Sequence, residues 1–372
     1  MTNFLVIPDD DRFIMKKFFN VDFLLLLPVV ILVSVSLVTL LSLSFDFFKS
    51  QLFSLVISFI AFFIFAQINI EYLKQLKLPI YITSIVLLFI TLAIGIESRG
   101  AVRWVDIFGG SLQFSEILKP FLSLVFAAML AEKPTASMKS FFTSLLFIIP
   151  IFLLVYFQPD LGSALLYVII ALFALLVSGY PFKWFLLIFL PIAFFMPILW
   201  TKLHDYQRNR ILTFLNPQSD PLGVSYNSIQ ALIAVGSGVF FGKGLSEGTQ
   251  SGLRFLPERQ TDFIFATIAE GLGFIGAMII IAALLFLCYR IFRIFSTAND
   301  RFIRIFAACA FGFFLLPAFV NIGMNIGIVP IVGVTLPFVS FGGSSLLSNF
   351  IFLGLLCAMI SGEKHKNVLE IK

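Results

Sequence analysis

Apolar stretches long enough to cross a bilayer alternate with short polar connections from residue 21 to residue 361. The pattern predicts ten helical spans, at 21–44, 47–68, 78–96, 115–131, 142–157, 161–179, 182–200, 262–288, 302–322 and 344–361. Spans 115–131 and 142–157 are the shortest, so their ends are the least defined. The expected architecture is an all-α polytopic membrane protein. Its ten-helix domain, 21–361, lies between a cytoplasmic N-terminal segment 1–20 and a cytoplasmic C-terminal segment 362–372. An even number of spans places both termini on one side. Lys and Arg choose that side, because they gather at the N-terminus, after spans two, four, six and eight, and at the C-terminus, most densely from Arg290 to Arg304.

Three long connections, 97–114, 201–260 and 323–343, fall on the opposite, extracytoplasmic face. Long loops in compact domains usually carry function, so the site is expected there. Segment 321–346 is apolar yet interrupted by Gly323, Gly327, Pro330, Gly333, Pro337, Gly342 and Gly343. Irregular backbone at membrane depth is tolerated where it is buried in protein or lines a cavity, which predicts a re-entrant segment.

Composition narrows the class. Charged residues make up 12% of the chain, about half the share in a soluble domain. The net charge of +5 sits largely in loops between spans, so it marks topology and not a nucleic-acid surface. Cys288, Cys309 and Cys357 lie in apolar runs, and with only His204 and His365 a zinc site has no ligand set. Polar residues up to Asn20 and the lack of a small-residue cleavage site predict a retained first helix, not a signal peptide.

Candidate chemistry follows from charges that break the apolar pattern. In "VRWVDIFGGSLQFSEILKP", Arg103 and Trp104 suit a membrane interface, and Glu116 and Lys119 at i, i+3 make an intrahelical pair or face a polar cavity. Asp160 in "QPDLGS" is expected to cap the next helix. Loop 201–260 carries Arg208 and Arg210, an amphipathic segment 225–235 suited to the membrane surface, and a Gly-rich stretch able to approach a phosphate or pyrophosphate. In "FLPERQTDFIFA", Glu258, Arg259 and Asp262 precede an apolar run. An acid in the first helical turn is stabilised by the macrodipole, with Thr261 as the cap. Glu270, two turns on, shares that face. Asp262, held at the edge of a low-dielectric region, is a candidate general base or the ligand of a divalent cation.

These segments, with "GTQSGLRFLPERQTDFIFATIAEGLG" and "NIGMNIGIVPIVGVTLPFVSFGGSS", resemble the SEDS family (shape, elongation, division and sporulation), and its rod-shape branch more than its division branch. The similarity runs over residues 20–361 with four motifs in order. It implies a ten-helix fold and a peptidoglycan glycosyltransferase that polymerises lipid II at the outer face of the bacterial inner membrane. A class B penicillin-binding protein and other elongation-complex membrane proteins are the implied partners. It also implies that Asp262 is central to activity and that Arg103, Trp104, Glu116 and Lys119 belong to the functional pattern. Phe114 and Phe341 stand where the family usually has Pro and Tyr, so neither has a polar role here.

The expected reaction is an inverting displacement of undecaprenyl pyrophosphate by a sugar 4-hydroxyl. Asp262 is its base, or holds magnesium or manganese. Arg103, Lys119, Arg208, Arg210 and Arg259 are the candidate pyrophosphate binders, with Trp104, Glu116 and Glu258 in the substrate site and Asp160, Ser340 and Ser344 supporting it. A lipid II flippase or another transporter is the competing class, and a scaffold for the transpeptidase is a third.

Overall fold

The computed structural model describes residues 22–98, 101–107, 110–135, 137–203, 205–216, 218, 220, 221, 223 and 225–370. The predicted N-terminal segment 1–20 and His204 lie outside the described residues.

Small polar residues punctuate the apolar helices. Asp22 accepts the Leu24 amide to open α1 (Phe23–Leu43), and Ser44 accepts the Asp46 amide to open α2 (Phe45–Gln67). A short α3 (Ile70–Gln75) under Asn69 leads into α4 (Lys77–Ile94). After the strands described below come α5 (Phe114–Ile117), α6 (Lys119–Glu132), α7 (Met138–Leu146), α8 (Ile148–Phe157) and α9 (Leu161–Val177). Asp160 caps α9 as expected, accepting the Ser163 amide at 3.0 Å. α10 (Phe182–Phe194) and α11 (Met196–Lys202) meet at a 51° bend. Loop 201–260 contains α12 (Asp205–Leu215), α13 (Tyr226–Ser237) and the single turn α14 (Thr249–Gly252). α15 (Ile264–Thr297), α16 (Arg301–Asn325) and α17 (Gly343–Glu370) complete the chain.

Every predicted span coincides with an apolar helix or helix pair. Among the described residues seven are long and apolar enough to cross a membrane alone, and α10 with α11 makes an eighth if the bent pair is one span. α9 and the α5–α6 pair are shorter, and ten crossings are compatible with these lengths. α17 continues past the predicted limit at 361 to Glu370.

Two features depart from a purely helical expectation. The connection 97–114 holds an antiparallel sheet in the order β1 (Ile96–Ser98), β2 (Ala101–Ile107), β3 (Gly110–Leu112). Further, α15 is not one helix. Its 34 residues would measure about 51 Å as a straight helix, well beyond a hydrocarbon core of about 30 Å. It breaks at Gly273, where φ is 67° and ψ is −163°, a conformation that glycine alone adopts readily.

The break frees backbone groups, and the preceding loop supplies partners for four of them. Lys243 N–H donates to the Glu270 carbonyl and Gly244 N–H to the Gly271 carbonyl, both at 3.0 Å. Phe274 N–H donates to the Val239 carbonyl at 2.9 Å and Ile275 N–H to Phe240 at 3.3 Å. Residues 239–244 therefore stitch the two half-helices together, as apolar surroundings require.

The core lies between α1, α2, α6, α9, α15, α16 and α17, filled by residues such as Leu25, Leu124, Ile280, Phe306, Phe314 and Phe352. Segment 225–235, expected on the membrane surface, is α13 packed on α15 and α16 with Ala231 and Ala234 fully buried.

Candidate active site

Asp262 sits in a turn before α15, not in its first helical turn. The helix begins at Ile264, and no side chain of its own N-cap, Phe263, serves its amides. Thr261 is not the cap either: its hydroxyl donates to the carbonyl and, at 3.0 Å, to the carboxylate of Glu258. The Glu258 carbonyl in turn accepts the amides of Thr261 and Phe263, closing a turn that holds Glu258 at φ 53°.

One amide of the helix mouth is served from another helix. Asn325 Oδ1, at the end of α16, accepts the Ala266 amide at 3.1 Å. Asn325 Nδ2 donates to the Asp262 carbonyl at 3.0 Å, and Asn321 Nδ2 donates to it at 3.1 Å. Asn321 also donates to the Val334 carbonyl at 2.7 Å. Both Asn residues are fully buried and lie four apart on one helical face. Asp262 is thus fixed through its main chain.

Of the segment 321–346 predicted to be irregular, residues 326–342 are non-helical, and both side chains and main chain serve their polar backbone. Ser340 Oγ donates to the Thr261 carbonyl at 2.7 Å and accepts the Leu336 amide. The Phe341 amide donates to Gln260, Gln51 binds Ser340 and Gly342, and Ser36 donates to Val339. Gly333 has φ 76°, and a Cβ placed there would lie 3.6 Å from Asp262 Oδ2. One residue away, Val332 packs so tightly on Gly162 at the start of α9 that a Cβ on Gly162 would come within 2.6 Å of it. Residues 331–334 therefore join the Asp262 turn to the Asp160 region.

That second region is a buried polar cluster. Arg103 on β2 lies 3.8 Å from Asp160 Oδ2, which also accepts Gln113 Nε2 at 3.2 Å. Gln113 is tied to Ser115 and, through its amide, to Ser344 Oγ at 2.9 Å. Tyr167 donates to the Ser115 carbonyl. Lys119 Nζ meets Glu116 Oε1 at 2.6 Å, with both side chains under 10% exposed, and lies 5.8 Å from the Phe313 ring centre. The intrahelical pair is formed, across the small irregularity at Leu118 that separates α5 from α6. Trp104 is half-buried on β2 opposite Ile96.

The remaining cations differ in what they reach. Arg210 is exposed and donates to the Ile331 carbonyl at 3.3 Å, which brings loop 201–260 onto the segment that faces Asp262. Arg208 donates to the carbonyls of Trp200 and Thr201 at the end of α11. Arg259 is buried and donates to the carbonyls of Ser251 and Gly252, closing the C-terminal end of α14. Burial, then the charge of Arg254, pushes its pKa below the ordinary arginine value. Glu270 does not project toward Asp262 as the shared face implied. Its carboxylate accepts Thr249, Gln250 and Ser251 instead. Lys119 is enclosed in its ion pair, so Arg103 and Arg210 are the predicted pyrophosphate binders that combine exposure with proximity to the glycine segment.

The family profile of the FtsW/RodA/SpoVE cell cycle proteins matches residues 15–365. The chain belongs to the SEDS family. This SEDS protein is 42% identical over 287 residues to the peptidoglycan glycosyltransferase MrdB of Escherichia coli K12, across 77% of this chain and 78% of that protein. It is 34% identical over 326 residues to a probable peptidoglycan glycosyltransferase FtsW of Hydrogenovibrio crunogenus, across 86% and 83%. Its fold matches a chain from a peptidoglycan synthase complex that coordinates polymerization and crosslinking, with TM-score 0.81 and 27% identity over 92% of this chain and 98% of that one. It also matches the rod shape determining protein RodA of Thermus thermophilus, with TM-score 0.71 and 26% identity over 92% and 97%.

Within this SEDS site, Asn321, Asn325 and Gln113 are residues that the charge pattern misses. The two Asn had a usable signal: polar groups four apart in an apolar helix are costly unless they serve a partner. Among the described residues no three His, Cys, Asp or Glu side chains gather to hold a metal. A hard cation at Asp262 would fit the mode in which one carboxylate and substrate phosphates supply the ligands.

Proposed function

We propose that this multi-pass membrane protein polymerises lipid II at the outer face of the inner membrane, with both termini cytoplasmic. A class B penicillin-binding protein and other elongation-complex membrane proteins are its partners. Peptidoglycan glycosyltransferase is the activity named for its relatives, and the fold it shares with a chain of a synthase complex supports the partner. The observation that carries the site assignment is the fixing of the Asp262 turn by Asn321, Asn325 and Ser340, with the carboxylate against Gly333.

The chemistry needs one base and one anion site. The acceptor 4-hydroxyl oxygen forms a bond to the anomeric carbon while the bond from that carbon to the pyrophosphate oxygen breaks. Asp262 takes the hydroxyl proton, and undecaprenyl pyrophosphate leaves with the electron pair. A fixed backbone holds the carboxylate without consuming reorganisation energy at the moment of transfer. Arg210, on the Ile331 carbonyl, and Arg103, beside Asp160, meet the pyrophosphate charge. A divalent cation, if held by Asp262 and the substrate, would supply further charge neutralisation. The apolar exterior of the bundle suits a substrate whose tail stays in lipid.

The test is polymerisation of lipid II by the full chain in detergent. General-base catalysis contributes roughly 10²–10⁴-fold, so Asp262→Ala should lose glycan product to that extent while remaining folded. A folded Asp262→Ala protein that polymerises at the wild-type rate removes the assignment. The broken helix α15 is a feature shared with transporters. The same assay separates that reading, because a flippase yields no glycan.

A further inference from the structure

We infer that Glu270 is a positioning residue for the Asp262 turn, acting through residues 249–259. The inference rests on the proposed role of Asp262 and extends it to a residue that lies outside the reacting centre.

Glu270 is fully buried in the first half of α15. Its carboxylate is saturated by three consecutive residues. Oε1 accepts the Gln250 amide at 2.9 Å and Thr249 Oγ1 at 3.3 Å, and Oε2 accepts the Ser251 amide at 2.8 Å and Ser251 Oγ at 2.7 Å. A carboxylate offers about four such acceptor positions, so none is left for a ligand.

The other end of that turn is held by Arg259, whose guanidinium donates to the carbonyls of Ser251 and Gly252. The Arg259 carbonyl accepts Thr267 Oγ1 at 3.1 Å. Thr267 lies three residues before Glu270, on the same face of the same half-helix. The bonds therefore form a ring: from Glu270 to 249–251, to Arg259, to Thr267 and back along the helix. Asp262 follows Arg259 by three residues.

The Asp262 turn is thus held twice. Asn321, Asn325 and Ser340 hold it from the side of α16 and the irregular segment. The Glu270–Arg259 ring holds its N-terminal approach from inside the membrane domain. A buried charge is an expensive way to fill space, and an apolar residue would do that at no electrostatic cost. Four bonds to one short turn instead fix direction. A misplacement of about 1 Å at a reacting group can cost about 10²-fold in rate, which is the scale on which such a ring acts.

The experiment measures lipid II polymerisation by the full chain in detergent, with the folded fraction set by monodisperse size-exclusion material. Glu270→Gln keeps the size but turns an amide group toward the donors of 250–251. Its kcat per folded molecule should fall roughly 10- to 100-fold with KM within about threefold of wild type. Glu270→Asp, which keeps both acceptors, should recover part of that loss. Ser251→Ala, which removes one hydroxyl donor and is the milder change, should lower kcat by a few-fold with KM unchanged. It keeps the inference testable if Glu270→Gln does not fold. Wild-type kcat in folded Glu270→Gln overturns the inference, as does wild-type kcat in Ser251→Ala where Glu270→Gln cannot be obtained. Failure of the underlying reading looks different: wild-type protein makes no glycan, or Asp262→Ala makes as much as wild type.

Discussion

Glu116, Asp160, Glu270 and Asp262 are anchored in the structure through different atoms. Glu116, Asp160 and Glu270 spend carboxylate oxygens on protein donors: Lys119, Gln113 with the Ser163 amide, and the turn 249–251. Asp262 is anchored at its carbonyl oxygen by two buried Asn side chains. The first arrangement uses charge to fasten elements together. The second fastens the backbone of the turn that carries the carboxylate. In a chain that avoids charge, an acid is therefore informative only once its partners are known.

The comparison predicts the largest stability effect at the fastened acids. Lys119→Ala strands the buried Glu116 carboxylate and should cost about 3–5 kcal/mol, the range for breaking a buried ion pair. It would be read as loss of monodisperse protein or a large drop in melting temperature. A stable Lys119→Ala protein would mean that the pair is not buried as described.

A smaller effect is expected where the backbone of the active turn is fastened. Asn325→Ala removes a donor to the Asp262 carbonyl and orphans the buried Ala266 amide, costing about 1–3 kcal/mol. Unlike Lys119→Ala, it should also depress the polymerisation rate of the molecules that remain folded. A rate per folded molecule equal to wild type would erase the distinction between the two arrangements.

The smallest stability change is expected at the glycine that faces Asp262. At φ 76°, Gly333→Ala forces an L-residue into the left-handed region at a cost of about 1–2 kcal/mol. Its methyl group would rest in van der Waals contact with Asp262 Oδ2. Activity should therefore fall further than stability does, measured by assaying and melting the same preparation.

Much of this organisation is legible in the sequence, and the gaps have physical causes. Spans follow from apolar length, and the caps at Asp22, Ser44, Asn69 and Asp160 follow from residue type. The irregular segment 326–342 announces itself because Gly and Pro recur where helix would otherwise continue. Gly273 does not, since one Gly among Gly271, Gly273 and Gly276 breaks the helix only because residues 239–244 arrive to satisfy the freed groups. The sheet in 96–112 is hidden by its shortness. Asp262 stands out as a charge against an apolar run. What holds it is a set of hydrogen bonds to Asn321, Asn325 and Ser340, more than fifty residues away, and Thr261 looks like a cap until those bonds are seen. Glu270 and Arg259 likewise read as candidate site groups, because a sequence shows that a charge is present but not what its atoms touch.

Asp262 is proposed to act as a base, on a turn fastened through its main chain. Asp262→Asn tests it most directly, since it preserves shape and every main-chain bond while removing the proton acceptor. Lipid II polymerisation by purified Asp262→Asn should fall by about 10²–10⁴-fold with the melting temperature essentially unchanged. Wild-type polymerisation by the folded variant, or a loss of activity that only tracks loss of folded protein, would contradict the account.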